Sequence, residues 1–232
     1  MRFGKLAKKA CQKVRDFFVK PIRVFCFHQV SDEYNPLTTW KCDWTQTDVF
    51  KRGVLQLLND GYSFISLTDA YDHIRKDVFR RKKYAVLTFD DGDSSLRDLL
   101  PWIDEMNIPV TLFVNPASLL GESQRDKPMD LLTAQALQVL EQKYNRLITI
   151  GNHGYFHKKS TDLSIEEFRD NVQKSESFLT QYAKKIPFYA YPYGSHSSST
   201  NEYLLSINLC PVLCDGQKNY SDSRVIHREI VI

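Results

Sequence analysis

Tyr84-Ala-Val-Leu-Thr-Phe-Asp-Asp-Gly92 decides how the rest of the chain is read. Tyr84 to Thr88 is rich in β-forming residues and has the pattern of a buried strand. Phe89 follows, then two adjacent carboxylates, Asp90 and Asp91, where the strand ends, and Gly92 lets the backbone turn sharply. Side-by-side acids repel unless a cation or a proton intervenes. One of them can bind a cation while the other stays free as a base. The same residues also fit a plain polar turn, because Asp93, Ser94 and Ser95 are good starters for a helix carrying Leu96, Leu99 and Leu100. Residues further along the chain favour the chemical reading.

Leu147-Ile-Thr-Ile150 is a second short strand, and it leads through Gly151 and Asn152 into His153-Gly-Tyr-Phe-His157. Two imidazoles at this spacing point at one ion if the segment forms a single helical turn. With one carboxylate they make a two-His, one-carboxylate set that leaves positions open for water and substrate. Both acids and both histidines follow predicted strands, and in a parallel barrel such strand ends meet on one face.

Strand and helix alternate along the chain. An apolar strand from Ile22 to Phe27 ends at His28. Thr45 or Thr47 can cap a helix carrying Phe50, Val54 and Leu57, and Thr68 can cap one through Ile74. Arg80-Arg-Lys-Lys83 reads as a solvated turn. Further helices are expected from Asp93 to Met106, over Leu131 to Leu140, after a Ser164/Glu167 capping box, and from Ser198 to Ser206. Repeated βα units with short links argue for a parallel sheet, closed or nearly closed.

Composition narrows the class. The 232 residues suffice for one sizeable core, and 42% apolar content excludes a disordered chain. Net charge is 31 minus 28, or +3, too balanced to argue for a nucleic-acid partner. Five cysteines without a Cys-x-x-Cys pair indicate reduced thiols, and Cys210-x-x-x-Cys214 reads as packing around Pro211 and Val212. No secretory signal or membrane span is visible, so a cytoplasmic location is expected. Residues 1–20 are expected to form a separate basic amphipathic helix, with Phe3, Leu6, Ala10, Val14 and Phe17 on one face, ahead of a single domain over 21–232. Such a segment suits peripheral contact with an anionic membrane, or an extra helix closing the floor of a barrel.

The Thr-Phe-Asp-Asp-Gly block, the downstream Asn-His-x-x-x-His, Ile108-Pro-Val-Thr-Leu-Phe-Val114 and Tyr189-Ala-Tyr-Pro-Tyr-Gly194 together resemble the polysaccharide deacetylases, the NodB-homology domain of the family 4 carbohydrate esterases. The family's irregular, TIM-barrel-like (β/α) barrel of about seven or eight parallel strands fits the βα units. The resemblance implies a hydrolase that removes N-acetyl groups from an N-acetylated amino sugar in a polysaccharide, oligosaccharide or glycolipid. It implies one divalent metal held by Asp91, His153 and His157, with Zn²⁺ the best fit and Co²⁺, Ni²⁺, Mn²⁺ or Fe²⁺ able to use the same set. Asp90 is then the general base, and the backbone N–H of Tyr193 helps hold the oxyanion. For the general acid, His28 is preferred over His227. Trp40, Trp44, Tyr155, Tyr191 and Pro192 are candidates for the sugar site, since ring faces stack on pyranose C–H surfaces.

Two departures from the family pattern stand out. Ala190 occupies the position where many members carry the Arg that orients the base, so another group must hold Asp90. The late Asp and Trp that support the acid elsewhere are not recognisable, with Asp32, Trp40 or Trp44 as substitutes. Competing readings keep the machinery and change the acyl group, as in a deformylase of a lipid-linked amino sugar, or keep only the barrel as a carbohydrate-binding relic. An intact Asp90, Asp91, His153 and His157 set argues against the relic.

Overall fold

A computed structural model describes residues 19–76, 80–122, 129–183, 186–220 and 223–230. Of the expected basic segment 1–20, only Val19 and Lys20 lie among the described residues. The strands are β1 (Arg23–Phe27), β2 (Gln29–Ser31), β3 (Trp44–Gln46), β4 (Tyr62–Phe64), β5 (Lys83–Phe89), β6 (Val110–Val114), β7 (Ile148–Asn152), β8 (Phe188–Ala190), β9 (Cys210–Leu213), β10 (Ile226–His227) and β11 (Glu229–Ile230). Between them run α1 (Thr47–Asn59), α2 (Leu67–Lys76), α3 (Ser95–Glu105), α4 (Pro116–Leu119), α5 (Ala134–Tyr144), α6 (Ile165–Leu179) and α7 (Ser198–Ser206).

The main sheet is ordered β10-β9-β8-β7-β6-β5-β1-β11, and β4 pairs with the lower edge of β5. Every pair in it is parallel. Its two ends are neighbours in the chain. β10 pairs with β9, β11 pairs with β1, and a single residue, Arg228, separates them. That short stretch therefore closes the barrel. The result is the expected (β/α) barrel, with helices on its outside.

Strand pleat sorts side chains into two sets, because alternate residues point to opposite faces. Val24, Val86, Phe113, Phe188, Ala190, Val212 and Ile226 share one buried cluster, the barrel interior. Leu67, Ala70 and Ile74 of α2 join that cluster and close its floor. Phe25, Phe27, Leu87, Phe89, Leu112 and Ile150 belong to the other cluster, against Phe50, Leu100, Leu137 and Leu179 of the surrounding helices. The interior parity thus runs through Cys26 and His28, Asp90, His153, Cys214 and Arg228 near the upper strand ends. Arg80 is buried near the floor, donating from Nε to the Lys20 carbonyl and from its Nη atoms to those of His73 and Asn219, so the basic run begins inside the protein.

Several helix starts differ from expectation for local reasons. Thr47 is already the first residue of α1, so the N-cap position falls to Gln46, the last residue of β3, which makes no side-chain cap hydrogen bond. The first turn of α2 is capped by Ser66, whose Oγ accepts from the Asp69 N–H at 3.0 Å, and Thr68 already lies inside the helix. Leu131 bridges to Asp93, and the Leu132 N–H is spent on the Gly92 carbonyl. The helix after them accordingly begins at Ala134, capped by Thr133. The Ser164/Glu167 capping box forms as the spacing predicts.

Gly151 shows how tightly the interior is filled. A Cβ there would lie 2.4 Å from the Phe113 ring. That ring is fully buried, and the Arg228 guanidinium sits 5.2 Å from its centre. Gly151→Ala is therefore expected to cost roughly 1–3 kcal/mol through overpacking. Urea unfolding of the purified variant measures this, and a midpoint equal to that of the parent would show that the ring has room to move.

Candidate active site

Adjacent aspartates on a regular strand would face opposite ways. Asp90 keeps the strand pattern, since its N–H donates to the Phe27 carbonyl at 2.8 Å, and its side chain points into the barrel. Asp91 would then face the helices. Instead it adopts a left-handed backbone with φ 71°, followed by Gly92 at φ 76°. Asp is among the residues that tolerate this region, and glycine takes it freely. The turn swings the Asp91 carboxylate back over the mouth, so the pair shares a cleft and one neighbour, His153, whose Nε2 lies 3.5 Å from Asp91 and 3.9 Å from Asp90.

Asp90 faces a guanidinium. Arg228 Nη1 donates to Asp90 Oδ1 at 2.6 Å, and Nη2 to Oδ2 at 2.7 Å. Nη1 also reaches Thr88 Oγ1 at 3.1 Å. Arg228 is 1% exposed and Asp90 3%. Burial alone would push the Asp90 carboxyl up, but the Arg228 charge, with His153 and His28 beyond it, overrides this and holds it down at about 2. The Asp90 carboxyl is thus kept ionised by the residue that closes the barrel, and Arg228 makes the contact to it that Ala190 cannot.

Asp91 faces imidazoles. Its Oδ1 lies 3.1 Å from His157 Nε2 and 3.5 Å from His153 Nε2. His153 Nδ1 sits 2.8 Å from the Ala190 carbonyl oxygen. A carbonyl can only accept, so the proton is on Nδ1 and the Nε2 lone pair is directed at the cleft. One donor atom from each of Asp91, His153 and His157 lies within 4.8 Å of the other two. A lone pair and a carboxylate oxygen converging in a buried place form a donor set suited to a divalent cation.

The two histidines converge without the helical turn that their spacing predicts. The chain leaves β7 as a loop, with Gly154 at φ 71° and His157 at φ 53° in the left-handed region. Asn171 of α6 holds the loop, its Oδ1 accepting the N–H groups of Tyr155 and Phe156, both at 3.1 Å. A Cβ on residue 154 would come within 2.9 Å of Asn171 Nδ2 and 3.1 Å of the Tyr189 hydroxyl, which accounts for glycine there.

The cleft encloses about 260 Å³. Cys26, His28, Trp40, Asp43, Tyr191, Tyr193, Cys214 and Arg228 line it with the two aspartates and the two histidines. His28 presents Nδ1 to Asp43 Oδ1 at 3.9 Å. Asp43 is the carboxylate beside the imidazole, a position that sequence reasoning assigned to Asp32, Trp40 or Trp44. Trp44 instead donates from its indole N–H to Ser31 Oγ at 3.0 Å and lies outside the cleft lining. His227 has the outward parity of its strand, and its Nδ1 meets Asp215 Oδ2 at 2.9 Å. Tyr155 is buried with its hydroxyl on Glu122 Oε2 at 3.2 Å, and Pro192 is buried too; neither is among the residues that line the cleft. Tyr191 reaches the cleft wall but spends its hydroxyl on Thr200 and Asn201. Trp40 and Tyr193 stand at the mouth, 53% and 66% exposed.

Comparison with known proteins agrees with this architecture. The family description "Polysaccharide deacetylase" matches residues 77–212, more than half of the chain. The chain belongs to the polysaccharide deacetylase family. A peptidoglycan-N-acetylglucosamine deacetylase of Bacillus cereus is 29% identical over 116 residues, covering 49% of this chain and 37% of that protein. The match therefore spans little more than a third of that relative's length. Among solved structures, IcaB from Ammonifex degensii superposes with a TM-score of 0.75 at 21% identity, covering 91% of this chain and 92% of the other. The Streptococcus pyogenes deacetylase PplD, solved with acetate, gives 0.76 at 16% identity over 92% and 93% of the two chains. At these identities the likeness speaks for the fold.

Removing one partner of a buried pair strands the other charge in a poor solvent. Arg228→Met is expected to lower stability by about 3–5 kcal/mol. Arg228→Lys retains the charge but not the two-pronged contact, and falls in between. Chemical denaturation of both variants measures the ladder. Equal stability of all three proteins would mean that the pair contributes nothing net to the fold.

Proposed function

We propose that the chain is a carbohydrate N-deacetylase, a hydrolase that removes N-acetyl groups from an amino sugar within a glycan or glycolipid. Membership of the family supports the reaction class. The observation that carries the residue roles is a contrast in neighbours: both oxygens of Asp90 are taken by a guanidinium, with His153 at 3.9 Å beyond it, while Asp91 has both imidazoles at 3.1 and 3.5 Å. Asp91, His153 and His157 would hold one divalent ion, with zinc the natural occupant of two nitrogens and a carboxylate oxygen. What such an ion supplies when bound is Lewis acidity toward water and the amide carbonyl.

The chain's own residues do the rest. Asp90 stays anionic because Arg228 faces it, and takes the proton of the attacking water. Arg228 uses both Nη atoms on Asp90, so it fixes which side of the carboxylate is turned to the cleft. His28 lines the same cleft, at the end of the strand next to that of Asp90, and delivers a proton to the departing amine, with the Asp43 carboxylate 3.9 Å from its Nδ1. Tyr193 turns the chain at the cleft mouth with φ 59°, and its backbone N–H is assigned to the developing oxyanion. Trp40 and Tyr193 offer exposed ring faces to the sugar. His227, directed outward at Asp215, is left without a catalytic part.

Acetate release from N-acetylglucosamine oligomers tests the reading. The metal-loaded protein should release acetate, a chelator should stop it, and added zinc or cobalt should restore it. His28→Ala should slow release by roughly a hundred- to ten-thousand-fold, while His227→Ala keeps the parent rate. A full rate in His28→Ala would remove it as the acid. No acetate from any N-acetylated glycan would remove the function itself.

A further inference from the structure

The interior parity that fills the cleft also brings two thiols to the base, and neither takes part in the reaction set out above. Cys26 lies on β1 two residues before His28, with its Sγ 3.5 Å from Asp90 Oδ2. Cys214 follows directly on β9 with the same inward parity and lines the same cleft. Both sulfurs line the cleft. One donor atom from each of Cys26, His28 and Asp90 lies within 4.8 Å of the other two. Sulfur, imidazole nitrogen and carboxylate oxygen are the donors that zinc and related thiophilic ions gather tetrahedrally. Bonds of about 2.0–2.3 Å set such donors roughly 3.3–3.8 Å apart, within reach of small side-chain rotations.

We propose that Cys26, Cys214, His28 and Asp90 form a second metal site, selective for thiophilic divalent ions, whose filling shuts the enzyme off. The inhibitory consequence rests on the functional reading above, because the ion would engage both base and acid; the site itself does not. Its chemistry balances. The unfilled cleft holds the neutral Asp90–Arg228 pair and the two cysteines, with the Cys214 thiol lowered to about 7 by its neighbour Cys26. Binding of one M²⁺ forms two metal–sulfur bonds and releases to solvent whatever protons the two sulfurs carry, at most two. Three anions, Arg228 and the ion then sum to zero, which a buried site requires. Arg228 is thus the counter-charge that makes two thiolates tolerable beside Asp90. The neighbouring set of Asp91, His153 and His157 contains no sulfur, so the two sites differ in both softness and spectrum.

Cadmium is the direct probe, used on the full chain carrying Cys11→Ser and Cys42→Ser to silence thiols elsewhere. Equilibrium dialysis should give two equivalents of Cd²⁺, one of which brings a sulfur-to-cadmium absorption band in the ultraviolet. Cys214→Ser, a substitution at a partly exposed position, should weaken the band-bearing equivalent at least tenfold, and Cys26→Ser/Cys214→Ser should abolish the band. Asp91→Asn should weaken only the equivalent that brings no band. In acetate release, excess Zn²⁺ should cut the rate of the parent at least tenfold and leave that of Cys214→Ser close to its own value at one equivalent. A titration without the band, or a band undiminished in the double variant, overturns the second site. A band that appears and depends on both cysteines, in a chain that binds no band-free equivalent, supports the second site and instead defeats the functional reading.

Discussion

A guanidinium and a carboxylate buried together at the mouth of the barrel constrain everything around them. Taking either charge out of water is expensive, and only close, two-pronged contact with satisfied neighbours offsets that cost. Arg228 and Asp90 meet this condition through two short hydrogen bonds, with Thr88 engaged as well. Arg228 is also the residue at which the last strand passes from pairing with β9 to pairing with β1. Closing the barrel and fixing the orientation of Asp90 are therefore one structural event.

The remaining geometry follows from pleat and from two interruptions of it. Inward parity delivers His28, Asp90, His153 and Arg228 to a common space without any loop having to reach for them. Asp91 and His157 cannot arrive that way. Each does so through a left-handed backbone, at φ 71° and 53°. Such conformations are uncommon outside glycine and persist where surrounding contacts over-determine them. Here Gly92 and the Asn171 clamp on residues 155 and 156 provide those contacts. The same parity rule separates the two candidate acids, since His28 points inward and His227, one residue before Arg228, points out.

The barrel and the Asp91, His153 and His157 grouping were legible because each is announced locally: an apolar run, a polar pair or spaced histidines at its end. Arg228 was not, because it lies 138 residues from its partner and only the closing register aligns them. Its one signal is parity, since it alternates with Ile226 and Ile230 in a strand that also carries His227. Asp43 is hidden in the sequence for a similar reason, as the pairing of β2 with β3 brings it to His28 across a long loop. The loop that joins the two histidines shows the limit of spacing arguments. An interval of four fits a helical turn, yet Gly154 and the Asn171 hydrogen bonds select another path to the same convergence.

The central claim is that two neighbouring aspartates have separate work, one clamped as a base and the other turned to the ion. Zinc affinity measured by competition with a chromophoric chelator, for Asp90→Asn and Asp91→Asn side by side in a chain carrying Cys26→Ser and Cys214→Ser, tests it most directly. Asp90→Asn should retain the affinity of the parent at the Asp91, His153 and His157 set, and Asp91→Asn should lose at least tenfold. Equal losses, or a loss confined to Asp90→Asn, would contradict the division of labour.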